Sequence, residues 1–239
     1  MNDLLMADAE VLRGQTVIVT GAASGVGRAV ARGLVAAGAW VGMIGPRDST
    51  LAAAAEEVGG HAIPADPAVP ADVHQVTEYL VELLGDGPDL LVNAADALVP
   101  RPLAQTEPDD FERQVAVNLR SPFLMIRAFL PLMLERGAGQ VISIGSAAGR
   151  AATPGHGAYS ATKFALRGLH EVLAREVAGT GVRATLIEVP SAGASLSEPA
   201  SSGGAPALRP EDVARAVLFA ASQPREVQIP VLALRSSAE

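Results

Sequence analysis

A chain of 239 residues with 26 acidic and 18 basic side chains, net charge -8 and no cysteine excludes disulfides, thiol nucleophiles and thiolate metal sites. Its arginines are scattered singly, so no basic surface suggests a nucleic-acid partner. One α/β domain over residues 1–239 is expected, with a core large enough to stand without staples or metal.

Residues 1–12 read as an N-terminal extension. They hold Asp3, Asp8 and Glu10 with no base before Arg13, so the positive start of a secretory leader is missing. No apolar run approaches the roughly 20 residues of a bilayer span. A soluble cytoplasmic protein with no membrane partner is the expectation.

Seven β-branched or apolar runs, 16–20, 40–44, 61–65, 90–93, 140–144, 183–189 and 227–234, are expected as strands. Segments of helical period lie between them, near 26–37, 49–58, 70–84, 107–135, 158–178 and 210–222. Such alternation predicts βαβ units and a parallel sheet buried on both faces. Thr106, with Asp109 three residues on, suggests a capping box, and Pro122 and Pro131 should bend or interrupt the long segment that follows. The stretch 191–208 is built largely from Ser, Ala, Gly and Pro. It is expected to be a mobile lid over a site, with a plain surface insertion as the other reading.

Thr20-Gly21-Ala22-Ala23-Ser24-Gly25-Val26-Gly27 joins the first strand to the first helix. Gly21 permits a tight turn, Gly25 a close backbone approach to a pyrophosphate, and Gly27 close packing of helix on strand. The end of the second strand, where a dinucleotide's ribose is read, offers no acid at Gly45 or Pro46 but offers Arg47. That favours NADP, with NAD still open, and Asp48 suits a helix cap. Asp66 could bond an adenine amino group or be a plain turn acid.

Lys163 is the single lysine of the chain, and it follows Tyr159, one of two tyrosines, by four residues. That spacing is one face of a helix, where an ammonium is expected to lower the phenol's pKa toward neutrality and make it a proton carrier. Ser146, 13 residues before Tyr159, could bring its hydroxyl beside the phenol. His156 could touch substrate or fill a loop, and Arg101 and Arg150 read as surface charges or as ligands for an acidic substrate.

Together these residues resemble the short-chain dehydrogenase/reductase family over nearly the whole chain. The matching pieces are the glycine turn 20–27, Asp66, Asn93, Val117-Asn118-Leu119, Ser146 and the Tyr159/Lys163 pair. The resemblance implies a Rossmann-type doubly wound α/β sheet of seven parallel strands with helices on both faces, in the order 3-2-1-4-5-6-7. It implies an oxidoreductase that passes a hydride between NADP(H) or NAD(H) and a small ketone, aldehyde or secondary alcohol. Tyr159 would be the general acid/base, Ser146 would orient the carbonyl, and Lys163 would hold the nicotinamide ribose. Asn118 would hold a water in a proton relay. Gly21, Ser24, Gly25, Val26, Gly27, Arg47, Asp66, Asn93, Ala94, Tyr159, Lys163, Pro190 and Ser195 would contact the cofactor, and Ser146, His156 and Tyr159 the substrate. No metal is implied. A homodimer or homotetramer through the helices 107–135 and 158–178 is expected. Two departures stand out: Asn93-Ala94-Ala95-Asp96 puts an acid where the family has a small residue, and Ser191 stands where it has glycine. They keep open a non-catalytic, dinucleotide-binding regulatory protein on the same fold.

Overall fold

The structure is a computed structural model, and it describes residues 10–46, 48–190 and 208–236. Seven strands pair entirely in parallel: β1 (Thr16–Thr20), β2 (Trp40–Gly45), β3 (His61–Pro64), β4 (Leu90–Asn93), β5 (Gly139–Ser146), β6 (Val182–Val189) and β7 (Val231–Ala233). Their order is β3-β2-β1-β4-β5-β6-β7. The helices between them are α1 (Gly25–Ala36), α2 (Ser49–Val58), α3 (Pro70–Leu84), α4 (Pro108–Val115), α5 (Ser121–Arg136), α6 (Gly157–Glu176) and α7 (Pro210–Ala221).

Because strand side chains alternate, neighbouring residues feed opposite cores. Val17, Val19, Leu90, Val92, Ile142 and Ile144 pack with α1, α2 and α7 on one face. Ile18, Leu91 and Val141 pack with α3, α5 and α6 on the other. Phe129 of α5 is fully buried there, and its truncation to alanine would cost about 3–5 kcal/mol. The sheet is wound in both directions from β1, so the chain reverses direction between β1 and β4. A crevice opens there at the carboxyl ends of the strands, the place where such sheets take ligands.

Several expectations change. Leu12 is fully buried in the first core and its N–H donates to the Ala37 carbonyl, so the extension does not reach residue 12. The Thr106 hydroxyl donates to the Pro102 carbonyl instead of capping, and α4 opens at Glu107 with no side-chain cap. The long segment is interrupted before Pro122, by a π-helical turn over Ala116–Arg120, while Pro131 is carried inside α5. By length and composition Pro108–Arg136 is long and apolar enough to cross a membrane, contrary to the sequence expectation. Its apolar side chains Met125, Ile126, Phe129 and Met133 are taken up by the core. The last strand is shortened to three residues, because Gln228 bonds the Ala184 carbonyl through its side chain and Pro230 brings no N–H.

Candidate active site

The glycine turn at the end of β1 is tight because of its neighbours. Gly21 sits at φ +65°, where a Cβ would lie 2.5 Å from the Ala95 Cα, and a Cβ on Gly27 would lie 2.2 Å from the Gly21 carbonyl oxygen. Only glycine fits either place. Ser24 caps α1, accepting from the Gly27 N–H at 3.3 Å and donating to the Gly21 carbonyl at 2.7 Å. No acid occupies the first turn of α1, so its amide end stays favourable to an anion.

From this turn runs a groove of about 470 Å³, whose walls include Gly21, Ser24, Gly45, Asp66, Ala95 and Asp96. These features fit a dinucleotide: glycines that let the backbone approach, an unopposed helix N-terminus, and a wall drawn from the carboxyl ends of β1, β2 and β4. Asp66 lies exposed on that wall and its carboxylate accepts from the Ala68 N–H, so it is also a turn acid. Asp48 caps α2 through the Thr50 N–H, as its sequence position suggested. Arg47, Ser195 and all but residue 208 of the stretch 191–208 expected as a lid lie outside the described residues. Pro190 follows directly on β6.

Side chains tie β1, β4 and β5 together below the site. The Ala94 N–H donates to Thr20 Oγ1 at 3.2 Å, and Asn93 Nδ2 donates to Ser143 Oγ at 3.4 Å. Ser146 closes β5 and accepts from the Ala148 N–H, which fixes its hydroxyl at the mouth of the site.

α6 carries Tyr159 and Lys163 on one face, as the spacing predicted, and both are buried. The Lys163 Nζ lies 5.4 Å from the centre of the Tyr159 ring and donates to the Ile144 carbonyl at 3.2 Å. Ser146 faces the phenol closely enough to pull its pKa down. Asn118 is buried in the π turn. Its Oδ1 accepts from the Ala97 N–H at 2.8 Å, and its Nδ2 donates to the Ala97 carbonyl at 2.8 Å and to Thr162 Oγ1 at 3.1 Å. The side chain thus clamps the segment after β4 onto α6, and both its N–H groups are used.

Asp96 is the residue that sequence reasoning left out of the site. The Tyr159 hydroxyl donates to its Oδ2 at 3.2 Å, and its Oδ1 pairs with Lys163 Nζ at 2.9 Å. The sequence signal existed in the unusual Asn93-Ala94-Ala95-Asp96 segment, but a contact across 63 residues carries no local pattern. This overturns the expected direction of the Tyr159 pKa. Burial pushes it up, Lys163 pulls it down and Asp96 pushes it up again, so the net movement is above the ordinary tyrosine value. For Lys163, burial acts downward, yet the attraction of Asp96 and Tyr159 carries it above its ordinary value.

Around the mouth, the segments after β4 and β5 meet where the Arg101 N–H donates to the Gly155 carbonyl at 2.7 Å. His156 stands at this junction, just before α6, with its Nδ1 buried and without a hydrogen-bond partner. Arg101 pairs with Asp110. Arg150 is neither a free surface charge nor an open anion ligand: with Arg167 it holds the carboxylate of Glu188, which is buried at the end of β6. Among the described residues no cluster suited to a metal is found.

Comparison with known proteins gives this arrangement a family. An uncharacterised oxidoreductase of Staphylococcus aureus (strain MRSA252) is 29% identical over 228 residues, spanning 94% of this chain and 98% of that one. The solved structure of a metagenomic short-chain oxidoreductase in complex with NADP is 31% identical, with a TM-score of 0.82 over 96% of this chain and 100% of that one. Serine dehydrogenase from Escherichia coli is 30% identical, with a TM-score of 0.84 over 94% and 99% of the two chains. The family model for short chain dehydrogenase matches residues 15–202, so the chain belongs to the short-chain dehydrogenase/reductase family of NAD(P)-dependent oxidoreductases.

Proposed function

We propose that this protein transfers a hydride between NADP(H) and a small ketone or aldehyde, or the matching secondary alcohol, with Tyr159 as the proton carrier. The observation that carries the proposal is the buried cluster of Tyr159, Lys163 and Ser146 beside the groove that begins at the glycine turn. The absence of an acid at Gly45 and Pro46, which line that groove, supports NADP over NAD, as does the NADP in the related metagenomic structure. NAD remains the second candidate. Seven strands and their helices act as one domain.

Gly21, Ser24, Gly25, Val26 and Gly27 would hold the pyrophosphate against the first helix, and Asp66 the adenine. Asn93, Ala94, Tyr159, Lys163 and Pro190 would line the nicotinamide half. The cofactor supplies the hydride, and the protein supplies orientation and the proton. Ser146 and Tyr159 meet the substrate oxygen; as the carbonyl becomes an alcohol, the Tyr159 O–H bond breaks and a substrate O–H bond forms. Lys163 offsets the charge left on the phenol. Asn118 holds the backbone at Ala97, and a relay water would sit on its backbone side because its side-chain N–H groups are taken. His156 faces substrate from the mouth.

Exposed Phe111, Phe123, Leu134, Phe164 and Val172 on α4, α5 and α6 support a homodimer or homotetramer through these helices. The non-catalytic, regulatory reading draws on Asp96, which engages both donors of the pair. NADPH consumption over a carbonyl panel, beside Tyr159→Phe, separates the two. Turnover that Tyr159→Phe abolishes supports the oxidoreductase; tight nucleotide binding without turnover supports the regulatory protein; turnover unaltered in the variant overturns the mechanism.

A further inference from the structure

The phenol of Tyr159 has one hydrogen to give, and Lys163 is a buried ammonium; one carboxylate engages both. The backbone that carries it is held on either side. Ala95 is pressed against Gly21, and Ala97 is clamped through its N–H and carbonyl by Asn118. The Asp96 side chain itself is about half exposed, 46%, so it can leave by rotating its own torsions while the main chain stays fixed. It also lines the groove with Gly21, Ser24 and Asp66. A molecule lying along that groove towards Tyr159 meets this carboxylate first.

The two carboxylate oxygens accept from the phenol and from the ammonium, 3.2 and 2.9 Å away. A vicinal diol of a ribose offers the same pair of acceptor oxygens at similar separation, without the charge. Resting on the reading of the groove as a dinucleotide site, we propose that Asp96 is a positioning residue that caps the Tyr159–Lys163 pair in the nucleotide-free protein and is displaced by the nicotinamide ribose. The cap keeps an ammonium from standing unpaired in a buried site, and it withholds the one phenol hydrogen until the nucleotide is seated. Its consequence is a competition: part of the nucleotide's affinity is spent on moving Asp96. Among the described residues, the charged groups facing Tyr159 are Lys163 from its own helix and Asp96 from the segment after β4, with the neutral Ser146 from β5.

The chain has two tyrosines, so Tyr79→Phe leaves Tyr159 as the single phenol, and its ionisation can be followed by phenolate absorbance in nucleotide-free protein. In that background Asp96→Asn should lower the ionisation midpoint by about one pH unit, through loss of the facing negative charge. Asp96→Gly is the second variant, used where the asparagine protein fails to fold. With the same proteins, NADPH should bind about fivefold more tightly than to the parent, the scale of a half-exposed ion pair. Adenosine 2′,5′-bisphosphate, which lacks the nicotinamide ribose, should bind all of them equally. Coincident phenolate titrations overturn the cap. Weaker NADPH binding also overturns it, making Asp96 a ligand of the nucleotide, and equal tightening of the bisphosphate assigns the effect to the fold at large. Failure of every form to bind either nicotinamide nucleotide overturns the dinucleotide reading together with the displacement, and the nucleotide-free titration distinguishes that case.

Discussion

Gly21 and Ala95 touch backbone to backbone across the β1/β4 switch point, so closely that a Cβ on Gly21 would sit 2.5 Å from the Ala95 Cα. The contact joins the glycine turn to the segment that carries Asp96. Gly21→Ala must both push that segment away and force alanine to φ +65°, a combined cost of about 1–3 kcal/mol. A lowered urea midpoint together with at least a severalfold loss of NADPH affinity is expected. Unchanged affinity would contradict the assignment of this turn to the nucleotide.

Glu188 lies 2% exposed at the end of β6 between Arg150 and Arg167. Glu188→Ala removes the shared partner of both arginines, but these reach solvent and Arg167 keeps Glu171, so the loss should be about 1.5–3 kcal/mol, the scale of hydrogen bonds to a charged group. Arg150→Ala should lose about 1 kcal/mol or less, because Arg150 is 40% exposed and Arg167 still pairs with the carboxylate. Chemical denaturation of both variants gives the comparison, and equal losses would contradict the account.

His170 is buried on α6, and burial pushes its pKa from 6.5 down to about 4. Between those values the unfolded chain binds a proton that the folded protein refuses, so stability falls as pH drops from about 6.5 towards 4. The loss attributable to this residue is at most about 3 kcal/mol. Between pH 7 and pH 4.5 the urea midpoint of His170→Leu should fall less than that of the parent, because leucine has no proton to refuse. Parallel acid losses in the two proteins would contradict this.

The helices α2 and α3 are legible in the sequence at their observed limits because local groups end them: Asp48 caps one, Pro70 opens the other, and Gly59 and Gly85 close them in left-handed conformations. The Tyr159/Lys163 face is legible for the same reason, being set by the helical repeat. What is not legible depends on partners far along the chain. The ammonium alone suggested a depressed phenol pKa, but burial and Asp96, 63 residues away, reverse the direction. Arg150 reads as a surface charge until β6 brings Glu188 beside it. β7 reads too long because the composition of 227–234 is strand-like, whereas Pro230 and the Gln228 side chain replace the first ladder bonds.

The central claim is that Tyr159 moves a proton in a site where a compact ammonium is required, although every other base of the chain is arginine. Lys163→Arg retains the positive charge but substitutes a planar fork for the buried point charge that reaches both Asp96 and the Ile144 carbonyl. The most direct measurement is NADPH turnover on the best carbonyl substrate by parent and Lys163→Arg proteins, with folding checked by circular dichroism. A loss of about 100-fold or more in turnover with the fold retained is predicted. Parent-like turnover by Lys163→Arg would contradict it.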